Sequence, residues 1–216
     1  MINICFHGIG RCAREREAGE SRYWITEERF SEVLDVVVDQ PHVRLSFDDG
    51  NASDIEVALP ALLQRGLTAT FFIVAGRLED RDSVTIEGLK QLRRAGMTIG
   101  SHGWEHIPWR HLSAAQQHKE FVEARAVLAS AIGRPVDQAA LPLGRFDRGV
   151  LAALKNRGYR SVYSSDRLPA RPGAWLQGRF SVTKDDTPDT IRAIVGHRLG
   201  IGDSRDLLAS LVKRVR

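Results

Sequence analysis

Apolar and polar positions fall into blocks that switch between a period of two and a period of 3.6 along the whole chain. Residues 1–7 read as a strand that starts almost at once. An Arg-rich loop follows, and Thr26 is placed to cap a helix with Phe30, Val33, Leu34 and Val37 along one face. Pro41 ends that helix region, and residues 43–47 read as a strand. The next helix runs through residues 55–59, with Pro60 as a kink point and Gly66 as its stop. Residues 68–74 are β-branched and aromatic with little polar alternation, the mark of a strand covered on both faces. A helix over 86–95 closes at Gly96, and a short strand over 97–100 follows. Ser113 and Gln116 have capping-box spacing for a long helix ending near Gly133. Then come a strand over 136–141, a helix over 148–156 closed by Gly158, a strand over 159–163, a strand over 175–182 and a terminal helix over 206–215.

About seven strands alternating with helices predict an α/β fold with parallel strands. No Gly-x-Gly-x-x-Gly or Walker-type loop is present, which disfavours the nucleotide-binding versions. The expected architecture is a distorted (β/α) barrel, formed by one domain over residues 1–216, with its chemistry at the C-terminal ends of the strands.

Composition narrows the function. The net charge of +4 is modest and scattered, without the basic stripes and interleaved aromatics of a nucleic-acid binder. No apolar run approaches the roughly 20 residues of a membrane span. The first residues lack the basic region and long apolar stretch of a leader, so the cytoplasm is the expected compartment. Cys5 and Cys12 are the only cysteines and are expected as free thiols, too few for a zinc knot.

Two segments carry candidate chemistry. Ser46-Phe47-Asp48-Asp49-Gly50 puts two adjacent carboxylates where a strand runs into a turn. His102-Gly103-Trp104-Glu105-His106 puts two imidazoles four residues apart, close enough to share one ion on a helical turn or tight loop. Taken singly, the first is an ordinary Asp-Gly turn and the second a pair of hydrogen-bonded surface groups. Together, each following a short apolar strand, they equip a site for activating water with a bound metal, so hydrolysis is the leading reading.

On these residues the chain resembles the polysaccharide deacetylase family, also called carbohydrate esterase family four. Ser46 to Gly50 matches the family's Thr/Ser-Phe-Asp-Asp-Gly motif. Gly100-Ser101-His102-Gly103-Trp104-Glu105-His106 matches its Gly-Ser-His-x-x-x-His motif, and residues 68–73 are similar to the apolar strand between them. The resemblance implies that Asp49, His102 and His106 hold one divalent metal, usually zinc, with cobalt, nickel or manganese as alternatives. It implies Asp48 as the general base and an N-acetylated amino-sugar glycan as substrate. Ala140-Leu141-Pro142-Leu143-Gly144 stands where many members have Arg-x-Pro-Tyr-Gly. Leu143 keeps a backbone N–H for an oxyanion site, but the Arg that orients the base is lost. For the general acid there are two positions. Phe6-His7-Gly8 resembles a branch that carries this His on the first strand, and Val195-Gly196-His197 resembles the usual Leu-x-His. His7 is preferred, because His197 reads as lying past a helix end.

Asp166, after a strand, and Arg179, on the last strand, are further candidates, the second as a substitute for the lost Arg. Trp104, Trp109 and Trp175 suit sugar stacking and core packing equally, while His42, His111 and His118 read as solvated. The alternative function is a catalytically impaired, glycan-binding relative, which Ala140 and Leu143 suggest and the retained Asp48 opposes. A two-metal phosphoesterase would want more ligands than these motifs hold.

Overall fold

The computed structural model describes residues 1–197, 208 and 210–213. Its strands are β1 (Ile2–Phe6), β2 (Gly8–Ile9), β3 (Trp24–Ile25), β4 (Val43–Phe47), β5 (Ala69–Ile73), β6 (Thr98–Ser101), β7 (Gln138–Ala140), β8 (Ser161–Ser164), β9 (Leu176–Gly178) and β10 (Phe180–Ser181). Eight of these pair in parallel in the order β10-β1-β4-β5-β6-β7-β8-β9. Only Arg179 separates β9 from β10. One extended stretch therefore pairs with β8 through its first half and with β1 through its second, and so wraps the sheet into a nearly closed barrel. Counted this way the barrel has the seven staves expected from the sequence.

The helices are α1 (Glu27–Val37), α2 (Leu59–Gln64), α3 (Ile86–Arg94), α4 (Ala114–His118), α5 (Ala124–Ile132), α6 (Arg148–Asn156) and α7 (Pro188–Val195). Their starts follow the side-chain oxygens. Thr26 accepts from the Arg29 N–H at 3.2 Å, and Ser113 and Gln116 close the expected capping box. The expected helix from residue 55 begins as a π turn (Asp54–Ala58), and a second π turn (Lys119–Glu123) joins α4 to α5. Periodicity does not announce π turns, since one extra residue per turn only shifts the phase. The two-residue pair β2 and β3 was also not expected, being too short to show a period. Of the expected helix over 206–215, only 208 and 210–213 are described, and they are helical. Among the described residues no helix is long and apolar enough to cross a membrane.

Strand pleating sorts side chains into two layers. Phe6, Phe47 and Phe71 sit in register on β1, β4 and β5 and stack outward, Phe47 on Phe71 at 4.6 Å, with Phe30 of α1 edge-on to Phe6 at 5.0 Å. Each such ring buried is worth roughly 1.5–3 kcal/mol. The neighbouring positions therefore face inward. Ser46 and Asp48 lie on either side of Phe47, and Phe72 follows Phe71 into the barrel. Gly100 makes room for it, because a Cβ there would lie 2.4 Å from the Phe72 ring.

Candidate active site

The C-terminal ends of β1, β4 and β6 open into a cleft of about 380 Å³ lined by His7, Asp48, Asp49, His102, His106 and Leu143, among others. Asp48 continues the inward face of β4, and its N–H donates to the Phe6 carbonyl at 2.9 Å. Asp49 follows at φ 77°, a left-handed conformation that turns its carboxylate into the cleft. His106 (φ 59°) and Leu143 (φ 56°) share that region of backbone space, so among the described residues three of the six non-glycine positions with positive φ lie at this one site. Each is costly for a side-chain-bearing residue, and such strain collects where function requires it.

The His102–His106 segment is a tight loop. Glu120, buried in the second π turn, holds it by accepting the Trp104 and Glu105 N–H groups at 2.8 and 3.0 Å and the Trp109 Nε1–H at 3.1 Å. Gly103, at φ 81°, is required here, since a Cβ would sit 2.2 Å from Glu120 Oε2. His102 Nδ1 bonds the Ala140 carbonyl at 2.9 Å, which leaves Nε2 bare, 3.7 Å from both Asp48 Oδ2 and Asp49 Oδ1. His106 Nδ1 bonds Glu17, and its Nε2 lies 3.3 Å from Asp49 Oδ1. Burial pushes the His102 imidazole down to about 4 against the pull of Asp48, so it is neutral and able to ligate.

One ligand atom from each of Asp49, His102 and His106 falls within 4.8 Å of the others. Asp49 Oδ1 is buried without a hydrogen-bond partner. An orphaned carboxylate oxygen between two imidazole Nε2 atoms fits a divalent cation held by three protein ligands with positions left open. A second cluster, Cys5, His7 and Asp48, does not fit one. Burial raises the Cys5 thiol far above its ordinary value, and both oxygens of Asp48 are already engaged.

That engagement is with Arg179. The guanidinium is fully buried and grips Asp48 bidentately, Nη1 to Oδ1 at 2.6 Å and Nη2 to Oδ2 at 2.7 Å. It also donates to Ser46 Oγ at 3.2 Å and lies over the Phe72 ring. Burial would raise the Asp48 carboxyl, but Arg179 and then His102 overcome it and hold the group well below the usual carboxylate range.

His7 reaches the same cleft, stacked on Tyr23 at 4.7 Å, with its Nδ1 buried and unbonded. Two expected candidates are not brought here. The His197 ring packs against Phe180 beyond the end of α7 and does not line the cleft. Asp166 accepts from Ser164 and Ser210 at 2.9 Å and from Lys213 at 2.7 Å, so its charge ties the C-terminal segment to the barrel. Trp109 is core, and none of Trp104, Trp109 and Trp175 lines the cleft. Sequence reasoning missed Glu17, Arg77 and Glu120, and Asp54, whose two buried oxygens have no partner.

A family model described as polysaccharide deacetylase matches residues 35–162. YxkH, a polysaccharide-deacetylase-type protein of Bacillus subtilis (strain 168), is 26% identical over 132 residues, covering 61% of this chain and 46% of the relative. A chitin deacetylase of Pestalotiopsis sp. is 28% identical over 121 residues, covering 55% of this chain and 39% of the relative. The match thus spans less than half the length of these relatives. The solved Streptococcus pyogenes deacetylase PplD, in complex with acetate, superposes with a TM-score of 0.78 over 91% of this chain and 98% of its own, at 17% identity.

Proposed function

The chain belongs to the polysaccharide deacetylase family, and from that premise we propose that it hydrolyses the N-acetyl group of an N-acetylglucosamine-type glycan in a metal-dependent reaction. The observation that carries this reading is the Asp48–Arg179 pair beside the Asp49, His102 and His106 cluster. The family's base-orienting Arg is absent at Ala140, and Arg179 supplies an equivalent guanidinium from the junction of β9 and β10.

A divalent ion held by Asp49, His102 and His106, zinc by its ligand set, would polarise the acetyl carbonyl and make water more acidic. Asp48, ionised and fixed by Arg179, takes a proton from the water that attacks the acetyl carbon. The Leu143 N–H, on a residue that lines the cleft, is the donor assigned to the developing oxyanion. His7 gives a proton to the sugar nitrogen as the C–N bond breaks, so acetate and a free amine leave. Acetate bound to PplD and the chitin deacetylase among the relatives support this substrate chemistry. Departures at Ala140 and Leu143 suggested an impaired glycan binder, and the Arg179 pairing weighs against it.

The test is acetate release from N-acetylated chito-oligosaccharides and peptidoglycan fragments, using chelator-treated protein supplied with zinc, cobalt, nickel or manganese. Release is expected with at least one metal. Asp48→Asn should keep bound metal and lose about a hundredfold or more of the rate. Tight glycan binding without acetate under every metal would overturn the reading.

A further inference from the structure

The two imidazoles of the cluster are braced differently. His102 Nδ1 donates to a neutral backbone carbonyl, that of Ala140. His106 Nδ1 instead meets the carboxylate of Glu17, far away in sequence, on the loop between β2 and β3. That carboxylate is itself fixed. Glu17 Oε1 accepts from Arg77 Nη2 at 3.1 Å, and Arg77 comes from the chain that follows β5. The loop is tied down one residue earlier, where Arg16 donates to Ser83 Oγ at 2.7 Å while its own N–H meets Glu20 at 2.6 Å. The contacts of the Glu17 carboxylate are His106 and the arginine that holds it.

We propose that Glu17 is a positioning residue for the metal site: its carboxylate takes the Nδ1 proton of His106 as a hydrogen bond and so fixes the tautomer and ring orientation that aim Nε2 at Asp49 Oδ1. A carboxylate behind a ligating histidine also increases the electron-donating power of the ring, and removing such a partner typically weakens metal binding 10–100-fold. His106 needs this support more than His102 does. It sits at φ 59° on a loop, whereas His102 leaves β6 directly and is braced by the next strand. The proposal rests on the ligand set given under Proposed function and concerns metal affinity alone, so its test uses no glycan.

The experiment measures the zinc dissociation constant by competition with a chromophoric chelator, together with the visible spectrum of the cobalt-loaded protein. Wild type is compared with Glu17→Gln, Glu17→Ala, His106→Ala and the Glu17→Ala/His106→Ala double variant. Glu17→Ala should weaken zinc binding by about 10–100-fold, and Glu17→Gln, which keeps an acceptor but loses the charge, should weaken it less. In the His106→Ala background, loss of Glu17 should change affinity less than about twofold, because a bond to a missing ring cannot be lost twice. The cobalt spectrum should shift in Glu17→Ala, while the thermal midpoint of the metal-free protein falls by no more than about 4 °C, the scale of losing one half-buried loop ion pair. Unchanged zinc affinity in a folded Glu17→Ala, or an equal loss with and without His106, would overturn the proposal. If His106→Ala itself leaves the affinity unchanged, the ligand set is wrong and the metal-dependent reading falls with it.

Discussion

Replacing Arg179 by Met tests the catalytic pair without touching a proposed metal ligand. Arg179 and Asp48 expose 0% and 3% of their side chains, so neither charge can turn to water if its partner goes. Met fills part of the space beside Phe72 and Tyr163 that the guanidinium occupies. What remains is a buried carboxylate stripped of two charge-assisted bonds, a situation that costs about 3–5 kcal/mol. At about 2–4 °C per kcal/mol for a chain of this size, the thermal midpoint should fall by roughly 6–20 °C. The loss should also depend on pH. In the wild type the Asp48 carboxyl titrates below its unfolded value, so its contribution is complete above the ordinary carboxylate range and is lost only as the pH falls through and below it. In the variant burial acts without the guanidinium, the carboxyl titrates above its unfolded value, and the folded state takes up a proton as the pH falls. The deficit should therefore be largest near pH 7.5 and shrink toward pH 5. Urea unfolding followed by tryptophan fluorescence, in chelator, measures both. Adding Asp48→Asn should recover part of the deficit at pH 7.5. A loss under about 1 kcal/mol, a deficit flat in pH, or strictly additive behaviour in the double variant would refute this account.

Two other outcomes are expected. His7→Ala should depress hydrolysis of an amide substrate far more than that of an activated aryl acetate, whose leaving group needs little protonation, while His197→Ala stays near wild type on both; a selective amide defect in His197→Ala would move the general acid there. Asp54→Asn should raise the thermal midpoint by at least about 2 °C at pH 8. Burial, and after it the charges of Asp49 and Asp48, raise the Asp54 carboxyl well above its ordinary value, so it opposes folding increasingly as the pH climbs past the usual carboxylate range. The gain should therefore fade toward pH 4.5, and a gain independent of pH would contradict the assignment.

Much of the barrel was legible because its strands are short, apolar and punctuated. Thr26, Ser113 and Gly133 mark helix ends through local chemistry, and the observed ends lie there. Asp48, Asp49 and His102 were legible because they follow a strand end at once, and His106 because its spacing from His102 lets one tight loop bring both rings to the same rim. Arg179 gave a weaker signal: a charge within a buried strand needs a partner, but no local rule says which. Glu17 and Glu120 gave none. In sequence they are indistinguishable from solvated glutamates on a loop and a polar helix, and their roles arise from contacts across 89 and 16 residues. The π turn that seats Glu120 is invisible to a 3.6-residue count for the same reason. Asp166 misled because its position after a strand end resembles that of Asp48, while its partners, Ser210 and Lys213, lie more than 40 residues away.

The seam of the barrel has a consequence for how the molecule is assembled. A nascent chain holds Asp49, His102 and His106 well before it holds Arg179, which lies 131 residues beyond Asp48. Until the stretch from β9 to β10 inserts between β8 and β1, Asp48 is a lone carboxylate at the mouth of an open sheet, and water can still reach it. Insertion expels that water, closes the sheet and neutralises the charge in one event, because the residue that joins the two edges is also the counter-ion. A chain ending before that stretch would keep every proposed metal ligand and lack an oriented base.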